Sequence, residues 1–135
     1  MINVTELLPQ KYPFVMVDTL IHYTETSINS GYTIRPADIF AEEGVFLEGG
    51  IVEHMAQSVA LHTGYQYYLK NEPAPVGYIG SISNVLIHRL PAVGETLTTR
   101  VEILQEFNGI TLVQVETFVN DLPVASGKMK TVLAS

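Results

Sequence analysis

A largely apolar stretch, FLEGGIVEHMAQSVALHTG, from Phe46 to Gly64, carries Glu53, His54, Gln57, Ser58 and His62, and the first three stand closest together. A carboxylate in such company is costly unless it is hydrogen-bonded or lines a cleft. Burial also favours the protonated carboxyl, the form a general acid needs. Gln57 follows Glu53 by four residues, so on a helix the two share one side. His54 lies about 100° round from Glu53. Within one chain the pair cannot easily address one carbon, but across a dimer it could. The plainer reading of His54 is a polar residue at a helix–sheet or subunit contact. Gly49-Gly50 precede the group and mark a helix start with close backbone approach.

These residues need a helix to hold them. With Val52 at the origin of a 3.6-residue wheel, Met55, Ala56, Val59, Ala60 and Thr63 fall within about 80° of it. Ile51 and Leu61 occupy other sides, which predicts a helix buried on most faces. It opens at Gly49-Gly50 and closes near Gly64 with that glycine as its C-cap, fraying toward Leu69. Before it come a short helical turn over residues 4–10, a strand from Tyr12 to Tyr23 and a partner strand from Ser27 to Arg35. Residues 37–48 form an irregular approach loop of functional length. After the helix the period becomes two, giving strands over 76–90, 96–107, 110–120 and 124–133. Asn108-Gly109 and Asn120-Asp121 are the turn signals between the last three. One long helix on a curled antiparallel sheet is an α+β architecture, with residues 1–135 as one domain. Its open edges predict a homodimer or larger oligomer.

Composition narrows the function. The chain has 135 residues and a net charge of −7, with 7 basic side chains scattered along it. Nucleic acid binding, which rests on phosphate neutralisation, is disfavoured. No apolar run reaches the roughly 18 residues of a membrane span, and the start carries no secretion signal. With no cysteine, the expected setting is the cytoplasm. No short spacing of His with His or Asp suggests a metal site. His22, His62 and His88 read as paired or surface residues. Asp38, Glu42, Glu43 and Glu48 read as a solvated acidic loop, with a substitute acid or base as the alternative.

Several motifs carry a resemblance. LLPQKYPFVMVD (7–18) resembles the LLPHRYPFLLVD-type opening of the 3-hydroxyacyl-[acyl-carrier-protein] dehydratases. IVEHMAQS (51–58) is similar to their helix signature, LPAVGETL (90–97) to their RPVxPGDxL turn, and VNDLPVA (119–125) to their V-x-G-x-x-V-A hairpin. The order matches over almost the whole chain. The resemblance implies the hot-dog fold, a dimer with active sites between subunits, and no cofactor beyond the phosphopantetheine that carries the substrate. It implies Glu53 as the catalytic carboxylate, with His54 the candidate second group. It also implies substrate binding by Gln57 and by backbone amides at Gly49 and Gly50, which can hold a thioester oxygen. One feature departs from the pattern. The family histidine of a Gly-His-Phe-Pro loop is missing from ADIFAEEGVFLEGG (37–50). In that respect the chain resembles the divergent dehydratases of aryl-polyene and flexirubin clusters, whose helix reads roughly EYMAQ.

The expected reaction is dehydration of a 3-hydroxyacyl thioester on an acyl carrier protein, or on CoA, to the enoyl thioester. Lys128, Lys130 and Arg89 would meet the acidic carrier. The alternatives are a thioesterase of the same fold, or a non-catalytic acyl-binding subunit that completes a heterodimer with a homologue. An acyl tunnel is expected along the Met55, Val59 and Ala60 side, with Tyr65, Tyr67 and Tyr68 packing around it or at a dimer contact.

Overall fold

A computed structural model describes residues 3–133. After a 3-10 turn, Val4–Leu7, come strands β1 (Thr19–Thr24) and β2 (Ser27–Thr33) and the two-residue strands β3 (Ala41–Glu42) and β4 (Val45–Phe46). Helix α1 (Glu48–Leu69) follows, then β5 (Gly77–Ile87), β6 (Thr96–Phe107), β7 (Ile110–Val119) and β8 (Leu122–Leu133). Six strands form one antiparallel sheet in the order β1-β2-β6-β7-β8-β5, and β3 and β4 make a separate hairpin. The helix lies chiefly over β2, β6 and β7. This is the α+β, hot-dog arrangement expected.

Strand β6 shows how the sheet meets the helix. Leu97, Thr99 and Val101 are buried, while Thr98, Arg100 and Glu102 between them are exposed, the period-two alternation of a half-covered sheet. Both predicted hairpins are present. Asn108 and Gly109 have φ of +51° and +77°, and Asn120 and Asp121 of +50° and +65°. Positive φ at both central residues matches the twist of the flanking strands.

Ile51 and Leu61 are as buried as Met55, so the helix is covered nearly all round, as its wheel predicts. Its end differs from the expectation. Gly64 is not a cap but an interior residue of a helix that continues to Leu69. The backbone of the N-terminal turn crosses it so closely that a Cβ at Gly64 would overlap the Leu7 carbonyl oxygen. The cap lies later, where Lys70 and Asn71 amides turn back to the carbonyls of Tyr67 and Tyr68 and Asn71 takes φ +56°.

Strand ends elsewhere move by up to three residues, and two larger departures precede the helix. The strand expected from Tyr12 begins only at Thr19, because residues 12–18 run across the helix and bond to its side chains. The approach loop contains the β3–β4 hairpin, turned at Glu43 and Gly44 (φ +53° and +79°). The amide of Phe46 docks on the Pro91 carbonyl at 2.8 Å. Strand β5 is a sheet edge and is exposed along nearly its whole length. Among the described residues, no helix is long and apolar enough to cross a membrane.

Candidate active site

Gln57 organises the site. Its side chain is fully buried. Its Oε1 accepts from the Met16 amide at 2.6 Å. Its Nε2 donates to the Phe14 carbonyl and to Glu53 Oε2, both at 2.8 Å. All of the amide's polar directions but one acceptor lone pair are therefore used. The consequence is a carboxylate held in one place by a helix residue one turn on, which is in turn fixed by the segment crossing above it.

Glu53 is partly buried and lies where two clefts meet. The first, about 400 Å³, runs between the helix, residues 7–10 and the start of β5, with Ala56, Val59, Ala60, Val76 and Ile79 in its walls. The second, about 640 Å³, is bounded by Tyr12, Phe14, Ile39 and Phe40. Pro9, Gln10 and Glu53 are common to both. Val59 and Ala60 thus line a groove as expected. Met55 does not, being buried with its methyl group toward Gly127 on the sheet.

His54 is corrected. The imidazole has no exposed surface, and both nitrogens are taken. Nδ1 donates to the Met16 carbonyl at 2.6 Å, so Nε2 accepts from the Thr99 hydroxyl at 2.7 Å, and Thr99 accepts from Thr117 at 2.7 Å. It therefore has no free nitrogen to share a substrate carbon with Glu53, in this chain or across a dimer. Together His54 and Gln57 bond both backbone groups of Met16. Ser58 continues this interior polar line to Ser30 at 2.7 Å.

The two glycines divide. A Cβ at Gly50 would come within 2.6 Å of Phe46 Cε1 and 2.8 Å of Phe40 Cβ, and one at Gly49 within 2.9 Å of Phe40 Cε1. Both are thus needed for packing. The Gly50 amide already donates to the Leu47 carbonyl at 2.9 Å, so it cannot also hold a substrate oxygen. Gly49 is exposed, in the first turn of a helix with no side-chain cap, where amides lack helical partners. It sits one turn before Glu53 on the same side.

The sequence of this architecture matches known proteins over nearly its full length. The sequence model of the ApeP-like family, described as ApeP dehydratase, matches residues 2–134. The chain belongs to the ApeP-like dehydratase family. This dehydratase is 31% identical to the 3-hydroxyacyl-[acyl-carrier-protein] dehydratase FabZ of Tolumonas auensis over 120 residues, 80% of this chain and 77% of that one. It is 31% identical to the FabZ of Actinobacillus pleuropneumoniae serotype 5b over 128 residues, 88% and 82% of the two chains. The dehydratase heterocomplex ApeI:P from Xenorhabdus doucetiae matches its fold with a TM-score of 0.92 at 16% identity, over 100% of this chain and 93% of that one. Membership makes the chain a hydro-lyase.

The dehydratase gives the approach loop no substitute for the missing histidine. Asp38 is bonded by the Tyr32 hydroxyl and by the Phe40 amide, and burial raises the Tyr32 pKa, as does that carboxylate. Glu42, Glu43 and Glu48 are exposed and line neither Glu53 cleft. The remaining histidines have bland roles. His62 donates to the Thr24 carbonyl and stacks on Tyr23, while His22 and His88 are exposed. Tyr65 packs edge-on to Tyr23 and stacks with Tyr68. Among the described residues no three His, Asp or Glu side chains gather as a metal site.

Burial holds the His54 pKa down at about 4, against smaller opposing effects of the Met16 carbonyl and Asp18. A depressed histidine keeps the native state neutral while the unfolded chain takes a proton. Stability is then full above about pH 6.5 and falls as pH drops toward 4, by about 3 kcal/mol for such a shift. Denaturant unfolding at a series of pH values should show this slope, and His54→Met, less stable at neutral pH, should flatten it. An identical slope in that variant would assign the acid sensitivity to other groups.

Proposed function

We propose that this dehydratase converts a 3-hydroxyacyl thioester, carried on phosphopantetheine by an acyl carrier protein, into the 2-enoyl thioester. The observation that carries the reading is Glu53, the one carboxyl common to both clefts. The apolar groove takes the acyl chain and the aromatic mouth takes the carrier arm. The reacting carbons then lie beside Glu53. A base removes the α-proton and charge builds on the thioester oxygen, for which the exposed first-turn amide of Gly49 is the candidate donor. The C–O bond breaks as Glu53 gives its proton to the leaving hydroxyl, and water departs. Proton transfers suffice, so no metal or redox cofactor enters.

The base comes from a second subunit. Apart from Glu53, the ionisable side chains in the two clefts are Glu6, Lys11, Tyr12 and Tyr78. Lys11 is already bonded to the carbonyls of Thr5 and Leu8. The mouth exposes Tyr12, Phe14 and Ile39, an apolar rim of the kind a subunit covers. The bare edge of β5 exposes Tyr78, Ile79, Ile82 and Leu86, and another strand pairs readily with such an edge. The partner is a second copy or a homologous chain. Lys128 and Lys130 share the outer face of β8, in register with Gln114 and Leu112, and suit an acidic carrier. Arg89 does not join them, because Glu95 holds its guanidinium at 3.0 and 3.3 Å.

The deciding assay follows enoyl absorbance and free thiol together, on 3-hydroxyacyl thioesters, with the chain alone and with a homologous subunit. Enoyl formation supports the reading. Thiol release without enoyl makes the protein a thioesterase, and tight acyl binding without either product makes it a binding subunit. For the dimer, light scattering should give twice the 14.9 kDa chain mass. Lysines at Ile82 and Leu86 together should halve it, since edge charges block strand pairing. A wild-type monomer would sink the homodimer and leave the heterodimer.

A further inference from the structure

We propose that Gln10 is a specificity-determining residue, whose amide oxygen accepts the hydrogen bond of the substrate's 3-hydroxyl group. The inference rests on the dehydratase reading above. It starts from an anomaly. Among the described residues, one buried side-chain polar atom lacks a hydrogen-bond partner, and it is Gln10 Oε1. Buried acceptors are nearly always paired, so a lone one calls for a reason. The contrast with Gln57 is direct, since that amide is bonded through both of its polar atoms.

The position of Gln10 supplies the reason. With Pro9 and Glu53 it forms the neck between the two clefts. Beyond the neck the groove is walled by Leu8, Ala56, Ala60 and Val76, and before it the mouth is walled by Phe14 and Phe40. A ligand threading both must place its polar section at the neck. The adjoining backbone is held there, because Lys11 Nζ donates to the Thr5 carbonyl at 2.9 Å and the Leu8 carbonyl at 3.3 Å.

Hydrogen-bond accounting then assigns the partner. A hydroxyl has one hydrogen to donate and two lone pairs. To leave as water it turns a lone pair toward the acidic hydrogen of Glu53, and its own hydrogen needs an acceptor. Glu53 Oε2 is taken by Gln57, and Gln57 Oε1 is engaged by the Met16 amide. The other glutamine oxygen at the neck is that of Gln10, and a rotation of the terminal amide brings it into the clefts it lines. The enoyl product has no hydroxyl to offer, so its formation leaves the oxygen unpaired again and weakens product binding. Sites that bond a substrate hydroxyl reject analogues lacking it more strongly than apolar pockets reject a size difference.

The test measures calorimetric affinities for 3-hydroxyacyl-pantetheine and for the saturated acyl-pantetheine of equal length. All proteins carry Glu53→Gln, which slows turnover and leaves an amide donor where the acid stood. The parent should prefer the hydroxyacyl ligand by about tenfold, the ratio for one net hydrogen bond. Gln10→Met should bring the ratio to about one, with affinity for the saturated ligand held within about twofold. Gln10→Ala should behave alike, and circular dichroism verifies the fold of both. An unchanged ratio in both variants, or no preference in the parent, overturns this proposal while acyl binding keeps the dehydratase reading. Failure of both ligands to bind the parent overturns both readings.

Discussion

Glutamine in place of Glu53 is expected to lower kcat for water loss by about 10²- to 10⁴-fold, the range for removal of a general acid, with little change in KM or in thermal midpoint. The substitution keeps the shape of the side chain. Its amide oxygen can accept the Gln57 Nε2–H that now reaches Glu53 Oε2 at 2.8 Å, so the anchoring of Phe14 and Met16 survives. What disappears is a proton that can be given to a leaving hydroxyl. Because the loss falls on an interaction made in the transition state, kcat and kcat/KM should drop together. The measurement is enoyl-thioester formation by both proteins under saturating substrate, with unfolding curves taken in parallel. A rate within about twofold of wild type would remove Glu53 from the chemistry.

Features written in local pattern were legible in the sequence. The apolar run that buries Ile51, Met55 and Leu61 together predicted a covered helix, and Asn108-Gly109 and Asn120-Asp121 predicted the tight turns. The i, i+4 spacing of Glu53 and Gln57 predicted a pair that is bonded in the structure. Features set by long-range contacts were not legible. Residues 12–18 have the β-branched and aromatic composition of a strand, yet the Met16 amide finds its partner 41 residues away and its carbonyl finds His54 38 residues away. Gly64 resembles a cap by type, and only the passage of Leu7 across the helix explains it. His54 shows the limit most clearly. The roughly 100° of helical rotation from Glu53 left open either chemistry across a dimer or a helix–sheet contact, and only the bond to Thr99, itself bonded to Thr117, decides for the contact. Nothing in the spacing distinguishes Gln10, because a missing partner leaves no pattern in a sequence.

Leucine at Gln57 is the second substitution with a large expected effect, this time on stability and geometry together. The side chains are similar in size, so packing changes little. The loss is polar: the Met16 amide and the Phe14 carbonyl both lose their bonds to Gln57. At about 1–3 kcal/mol for each buried group left unsatisfied, the chain should lose about 2–5 kcal/mol. Denaturant unfolding should show this as a lower midpoint with an unchanged slope. The carboxyl of Glu53 also loses its tether, so its proton is delivered from a looser position and kcat should fall about tenfold, less than on removal of the acid itself. Gln57→Glu separates the two contributions. It can still accept from Met16, but it cannot donate to Phe14 and it sets a second carboxyl against Glu53. It should recover part of the stability and none of the activity. If Gln57→Leu were as stable and as active as wild type, the three bonds at Gln57 would hold neither the crossing segment nor the acid.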